Sequence, residues 1–253
     1  MCDDKDCCKD QPVGLVRINE PAPEFEAVTT HGVLKLSDFK GKWVVLFSHP
    51  ADFTPVCTTE FMAFANHQEE FDKRGVQLIG LSIDSVHSHI AWVRSIESLF
   101  GVKVKFPVIA DLDMKVANAF GLIHPKASTT SAVRAVFVMD PDQLVKAIIY
   151  YPLTTGRSIP EIIRLIDALQ INAAKKVATP EGWKPGDKVI VPPPATTQAA
   201  EERMKATDME VVDWYFSKKS EKHRPGASGT NATGAVATAP VFCYCESALG
   251  IVE

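Results

Sequence analysis

An α/β fold organised around parallel strands is the expectation for this chain, and three observations carry it. Residues 43–47 and 76–83 are apolar, β-branched runs of the kind that form strands buried on both faces. Between them Phe61, Phe64, Ala65, Gln68 and Phe71 recur at helical spacing, and Gly75 stands where a glycine ends a helix. A strand, a helix and a second strand in that order place the two strands parallel.

The remaining elements follow along the chain. Residues 86–100 read as a second helix, and a shorter one spans 113–120 before Gly121. Residues 134–139 read as a strand, Asp140-Pro141-Asp142 as a turn and 144–150 as the returning strand of a hairpin. A long helix is expected over 159–176, with Ile162, Leu165, Ile166 and Leu169 on one face. The proline-rich stretch 180–194 marks a boundary, beyond which 197–206 suits a helix and 211–216 a strand. The expected organisation is a Cys-rich disordered tail over 1–11, an α/β domain over 12–176, a small α+β domain over 177–222 and a flexible tail over 223–253.

Composition excludes several classes of function. A hydrophobic fraction of 46% and a charged fraction of 23% are those of a soluble globular chain. The net charge of −4 gives no basis for nucleic acid or an anionic membrane as partner. No apolar run is long enough to span a membrane. The acidic start, Met1-Cys2-Asp3-Asp4-Lys5-Asp6-Cys7-Cys8, is not a secretory signal, so a cytoplasmic, reducing location is expected. The six cysteines cluster at the two ends, with Cys57 alone between, which is not the pattern of a disulfide framework. Cys2, Cys7 and Cys8 lack zinc spacing, and His87 with His89 reads as a solvated pair; no metal or organic cofactor is expected.

The chemistry concentrates in Pro50-Ala51-Asp52-Phe53-Thr54-Pro55-Val56-Cys57. Cys57 falls in the first turn of the predicted helix, where unpaired backbone N–H groups and the helix dipole stabilise an anion. It is therefore expected to act as a thiolate nucleophile. Thr54, three residues earlier, can turn its hydroxyl toward the same backbone pocket, beside the N–H groups of Val56 and Cys57. Pro50 and Pro55 stiffen the loop. His49 either tunes the cysteine or packs as a buried histidine.

The spacing of Pro50, Thr54 and Cys57 resembles the peroxidatic loop of peroxiredoxins, and the string from His49 to Glu60 looks like their one-cysteine subgroup. The resemblance continues through Ser82-Ile83-Asp84-Ser85, Phe106-Pro107-Val108-Ile109-Ala110-Asp111, Arg134-Ala135-Val136-Phe137 and Tyr151-Pro152-Leu153-Thr154-Thr155-Gly156-Arg157, covering roughly residues 12 to 220. It implies a thioredoxin-like fold, with a central mixed sheet flanked by helices, and a small C-terminal domain that packs on a partner subunit as a homodimer or larger assembly. It also implies a thiol-dependent peroxidase that reduces hydrogen peroxide and organic hydroperoxides through a sulfenic acid at Cys57. Arg134 matches the family's active-site arginine, and Glu60 and Arg157 match the residues that orient it. An external thiol, from a thioredoxin-like or glutathione system, would reduce the oxidised cysteine.

The chain departs from the one-cysteine pattern at Cys243-Tyr244-Cys245. The Gly/Ala/Ser/Thr-rich segment before them has an r.m.s. reach on the order of 23 Å. Cys243 or Cys245 could resolve an oxidised Cys57, or both could be incidental thiols. A different class of function uses the same Cys57: a peroxide sensor or chaperone-like oligomer that relays oxidation to client proteins.

Overall fold

A computed structural model of the protein describes residues 16–221. Strands β1 (Glu26–Thr29), β2 (Gly32–Lys35), β3 (Trp43–Ser48), β4 (Val76–Ser82), β5 (Val108–Ala110), β6 (Arg134–Met139) and β7 (Val145–Tyr151) form one sheet in the order β2-β1-β5-β4-β3-β6-β7. β3, β4 and β5 are parallel neighbours, while β6 runs antiparallel to β3 and β7 antiparallel to β6. The two runs that predicted a parallel pair thus form the centre of a mixed sheet. Every residue of β3 and β6 is buried, as continuous apolar runs require when helices cover both faces.

Alternation along β3 divides the core. Val45 and Phe47 face a cluster with Phe61, Phe64, Trp92, Phe106, Ile162 and Ile166; Val44 and Leu46 face another with Ile79, Phe120 and Phe137. The first cluster is covered by helices α1 (Pro55–Asn66), α2 (Gln68–Lys73), α3 (Val86–Phe100) and α5 (Ile159–Lys175), the second by the short helix α4 (Lys115–Ala119). Phe47 stacks on Phe64 at 3.9 Å between centroids and meets Phe61 edge-on at 5.5 Å, which sets how α1 lies on the sheet.

The helix expected up to Gly75 is two helices broken at His67. Its ring Nδ1 lies 2.8 Å from the Ala63 carbonyl, which already accepts the His67 backbone N–H, so the side chain competes with helix continuation. Beyond α5 lie β8 (Val189–Val191), α6 (Thr197–Met204), β9 (Glu210–Asp213) and β10 (Phe216–Lys219), with the strands in the order β8-β10-β9. The single strand expected over 211–216 is therefore the tip of a hairpin. Asp213 Oδ1 accepts the Trp214 N–H at 2.7 Å, and Trp214 and Tyr215 stand exposed in the turn. The hairpin β1–β2 and the three-residue strand β5 have no counterpart in the sequence-based expectations.

One buried ion pair ties the helical layer together. Arg74, following α2, donates to Asp167 of α5 from Nε at 2.7 Å and Nη2 at 2.9 Å, while Gln170 Nε2 donates to the Arg74 carbonyl at 2.7 Å. Removing Asp167 leaves the largely buried Arg74 guanidinium with only the half-exposed Glu70 carboxylate, 2.8 Å from its Nη1, as a charged partner. Asp167→Ala is expected to destabilise the fold by about 3 kcal/mol, read as a lower midpoint in urea with an unchanged slope.

Candidate active site

β3 ends at Ser48, and the chain turns through His49 and Pro50 into the loop that starts α1. Thr54 takes the N-cap position with extended backbone (φ −107°, ψ 146°), and Pro55 occupies the first helical turn, where its missing N–H costs nothing. Phe53 before them has φ 54°, a left-handed conformation that is strained for an aromatic residue, and is 59% exposed. The first bond of the helix is Thr58 N–H to the Thr54 carbonyl at 3.0 Å, so the N–H groups of Val56 and Cys57 precede the helical ladder. The Thr54 hydroxyl donates to the Ala51 carbonyl at 3.0 Å. Its single proton is thus used inside the loop rather than turned toward the backbone pocket.

Cys57 is 0% exposed. Its Sγ is 3.3 Å from Nη1 of Arg134, the first residue of β6. The same Nη1 donates to Glu60 Oε2 at 2.6 Å, and Arg134 Nε donates to the Leu153 carbonyl at 2.9 Å. Glu60 lies three residues after Cys57 in α1, one turn along the same face. Arg157 closes the other side. Its Nε and backbone N–H reach Glu60 Oε1 at 2.7 and 2.8 Å, its Nη2 reaches Oε2 at 2.8 Å, and its Nη1 reaches the Ala135 carbonyl at 2.7 Å. Phe47 and Phe64 lie under its guanidinium.

Burial alone would raise the pKa of Glu60, but the Arg157 hydrogen bonds and the charges of both arginines hold it below the usual carboxylate value. The charges then do not cancel. One carboxylate faces two guanidinium groups, and Arg134, the one nearer the sulfur, lies against Sγ. Chemically the cluster sets a buried cysteine sulfur 3.3 Å from a fixed guanidinium donor.

Of the expected site residues, Cys57, Glu60, Arg134 and Arg157 share this cluster, and Pro50 and Thr54 shape the loop leading into it. His49 packs: it is fully buried, its Nε2 lies 2.9 Å from Asp52 Oδ1, and its ring meets Phe61 edge-on at 4.7 Å. Cys243 and Cys245, and with them Cys2, Cys7 and Cys8, lie outside the described residues. The reading of His87 and His89 as a solvated pair is corrected. Two residues apart on a helix they face in roughly opposite directions, so His87 is exposed whereas His89 is 0% exposed and joined to Asp52. The stripe His89, Trp92 and Ile96 at helical spacing was the available signal for its burial.

The depressed pKa of Glu60 has a consequence for stability. A carboxylate more acidic folded than unfolded contributes stability above its unfolded pKa of about 4.5, and loses it as pH falls through the folded value. Between about pH 5.5 and about pH 3 the thermal midpoint of Glu60→Gln is therefore expected to fall less steeply than that of the parent, measured by circular dichroism.

Comparison with known proteins places the chain in a family. Residues 18–148 match the AhpC/TSA family, and residues 168–207 match the C-terminal domain of 1-Cys peroxiredoxin. A peroxiredoxin of Aquifex aeolicus is 57% identical over 218 residues, covering 82% of this chain and 98% of that protein. One from Methanosarcina mazei is 54% identical over 216 residues, covering 82% and 99%. Among solved structures, the yeast mitochondrial 1-Cys peroxiredoxin superposes with a TM-score of 0.74 at 41% identity, covering 82% of this chain and all of that one. A Cys-to-Ser mutant of peroxiredoxin 6 from Arenicola marina gives 0.72 at 40%, covering 84% and all of that chain. The mixed sheet with flanking helices is the thioredoxin-like arrangement of these structures.

Proposed function

The chain belongs to the peroxiredoxin family and is a thiol-dependent peroxidase, and from that premise we propose that Cys57 is the sulfur that attacks the peroxide. The observation that carries this assignment is the 3.3 Å contact between Sγ and Arg134 Nη1, with Glu60 balancing only one of the two arginines. The thiolate attacks one peroxide oxygen, the O–O bond breaks, and Cys57 becomes a sulfenic acid. The other oxygen leaves with the electron pair and takes up a proton as water or an alcohol. Arg134 supplies a donor where that negative charge develops, and the N–H groups of Val56 and Cys57 add two more. Thr54 and Pro50 hold the loop, Glu60 and Arg157 hold Arg134, and His49 supports the loop from beneath.

The return half of the cycle draws on an outside thiol. One thiol displaces water from the sulfenic acid to give a mixed disulfide, and a second releases Cys57 reduced. A thioredoxin-like or glutathione system is the proposed source, in keeping with the glutathione/thioredoxin systems described for the yeast structure. Cys243 or Cys245 would stand in for the first outside thiol if the tail resolves Cys57. We assign residues 12–176 to the peroxidase domain and 177–222 to a dimerisation domain. The exposed Met204, Val212, Trp214 and Tyr215 support a homodimer or a larger assembly of copies. The thiol chemistry suits a reducing, cytoplasmic location, and no helix among the described residues is long and apolar enough to cross a membrane.

One equivalent of hydrogen peroxide added to the reduced protein, followed by alkylation and peptide mass mapping, tests the assignment. Oxidation confined to Cys57 is the expected result, and Cys57→Ser is expected to abolish turnover. A Cys57 disulfide to Cys243 or Cys245 would make the tail the resolving partner. An unmodified Cys57 after peroxide is consumed would overturn the reading.

A further inference from the structure

Beside the sulfur cluster lies a second buried network that the peroxidase steps leave unused. Asp52 Oδ1 faces His49 Nε2 at 2.9 Å and His89 Nδ1 at 3.0 Å, and Asp52 Oδ2 faces His89 Nδ1 at 2.8 Å. The other nitrogen of His89, Nε2, lies 3.0 Å from the Ile109 carbonyl. The Asp52 backbone N–H donates to Asp84 Oδ2 at 3.0 Å, and that oxygen also accepts the Ser82 hydroxyl at 2.7 Å. His49 Nδ1 is buried without a hydrogen-bond partner among the described residues.

The oxygens dictate where the protons are. Both nitrogens of His89 face acceptors that have no proton to give, one a carbonyl and the other a carboxylate, so both must carry one. His49 faces the carboxylate with Nε2 alone, and a proton on its Nδ1 would be buried with nothing to accept it. We propose that His89 is a positioning residue that carries the positive charge of this network, so that Asp52 is neutralised from α3 and His49 is kept neutral with Nδ1 bare at the base of the active-site loop.

The charged groups that bear on His49 are Asp52 in its own loop, His89 on α3 and Asp84 after β4. Burial is the largest influence and lowers the His49 pKa; Asp52 and Asp84 pull it up, and His89 pushes it down. Asp52 is held well below the usual carboxylate range: burial opposes this, but hydrogen bonds from both histidines outweigh it. The spacing favours protons over a metal ion between these groups. The atoms stand 2.8–3.0 Å apart, whereas nitrogen and oxygen ligands of a tetrahedral zinc ion stand about 3.3 Å from one another. Because His49 leads into Pro50 and packs on Phe61, one turn beyond Cys57, a change in its protonation bears directly on the loop that holds the sulfur.

The kinetic part of this proposal rests on the peroxidase reading, and the spectroscopic part does not. Nitrogen-15 NMR of the reduced, unmodified protein reads each ring nitrogen directly. Across the neutral range His89 is expected to show two protonated nitrogens, and His49 one protonated Nε2 and one bare Nδ1. His89→Gln keeps a donor for Asp52 but removes the charge, so Asp52 is left with His49 as its only cationic partner. In that variant the His49 Nδ1 resonance is expected to move to the protonated position as pH falls. The acid limb of the kcat/KM pH profile should then differ from that of the parent. A cationic His49 beside a neutral His89 in the parent would overturn the proposal. So would a His89→Gln chain whose His49 stays neutral and whose pH profile superposes on the parent. Stoichiometric zinc uptake that shifts all three side chains would replace the proton network with a metal site. Should the variant fail to fold, the parent spectrum alone decides the charge assignment.

Discussion

The geometry at Cys57 depends on one buried carboxylate. Glu60 accepts four hydrogen bonds, three from Arg157 and one from Arg134, in a region from which water is almost wholly excluded. Without it two guanidinium groups would face each other in the core. With it, Arg134 is fixed by Glu60 at one nitrogen and by the Leu153 carbonyl at another, and reaches Sγ with no freedom to turn away. The cost of desolvating three charges is offset because every member is hydrogen-bonded several times over. A fourth charge, on the sulfur, is what the proposed chemistry would add.

The fold brings these groups together from distant parts of the chain. β3 delivers the loop and the helix that carries Cys57 and Glu60, β6 delivers Arg134 from the neighbouring antiparallel strand, and the turn after β7 delivers Arg157. The pairing of Phe47 with Val136 and of Arg134 with Tyr151 sets the heights at which these side chains enter. The aromatic packing of Phe47 on Phe61 and Phe64 fixes α1 on the sheet, and so fixes the direction of its first turn. Rigid elements hold the sulfur and its donor, while Phe53, in the loop between β3 and α1, takes a strained left-handed backbone.

Much of this was legible in the sequence, because the long buried strands and the amphipathic α3 and α5 leave strong periodic signals. The start of α1 after the Cys57 loop was also legible, since threonine and proline are common at the N-cap and first turn of a helix. What escaped was decided by tertiary contact. β5 is three residues long and is a strand only because β4 and β1 lie on either side of it. The break at His67 comes from its ring bonding back to Ala63, which periodicity does not record. Asp52 and His89 are 37 positions apart, and only the folded chain joins them. A histidine on an apolar stripe can be placed toward the core by its spacing, but the spacing does not say which buried group it meets.

The claim that Arg134 acts on the sulfur and the departing oxygen is tested most directly by the second-order rate of Cys57 oxidation under single-turnover conditions. The comparison is between a chain with its other five cysteines replaced by serine and the same chain with Arg134→Met. Loss of a fixed donor to the developing charge predicts a rate lower by about 100-fold or more, with the fold retained. An Arg134→Met chain oxidised at the parent rate would contradict the account, since the sulfur would then owe nothing to the arginine that touches it.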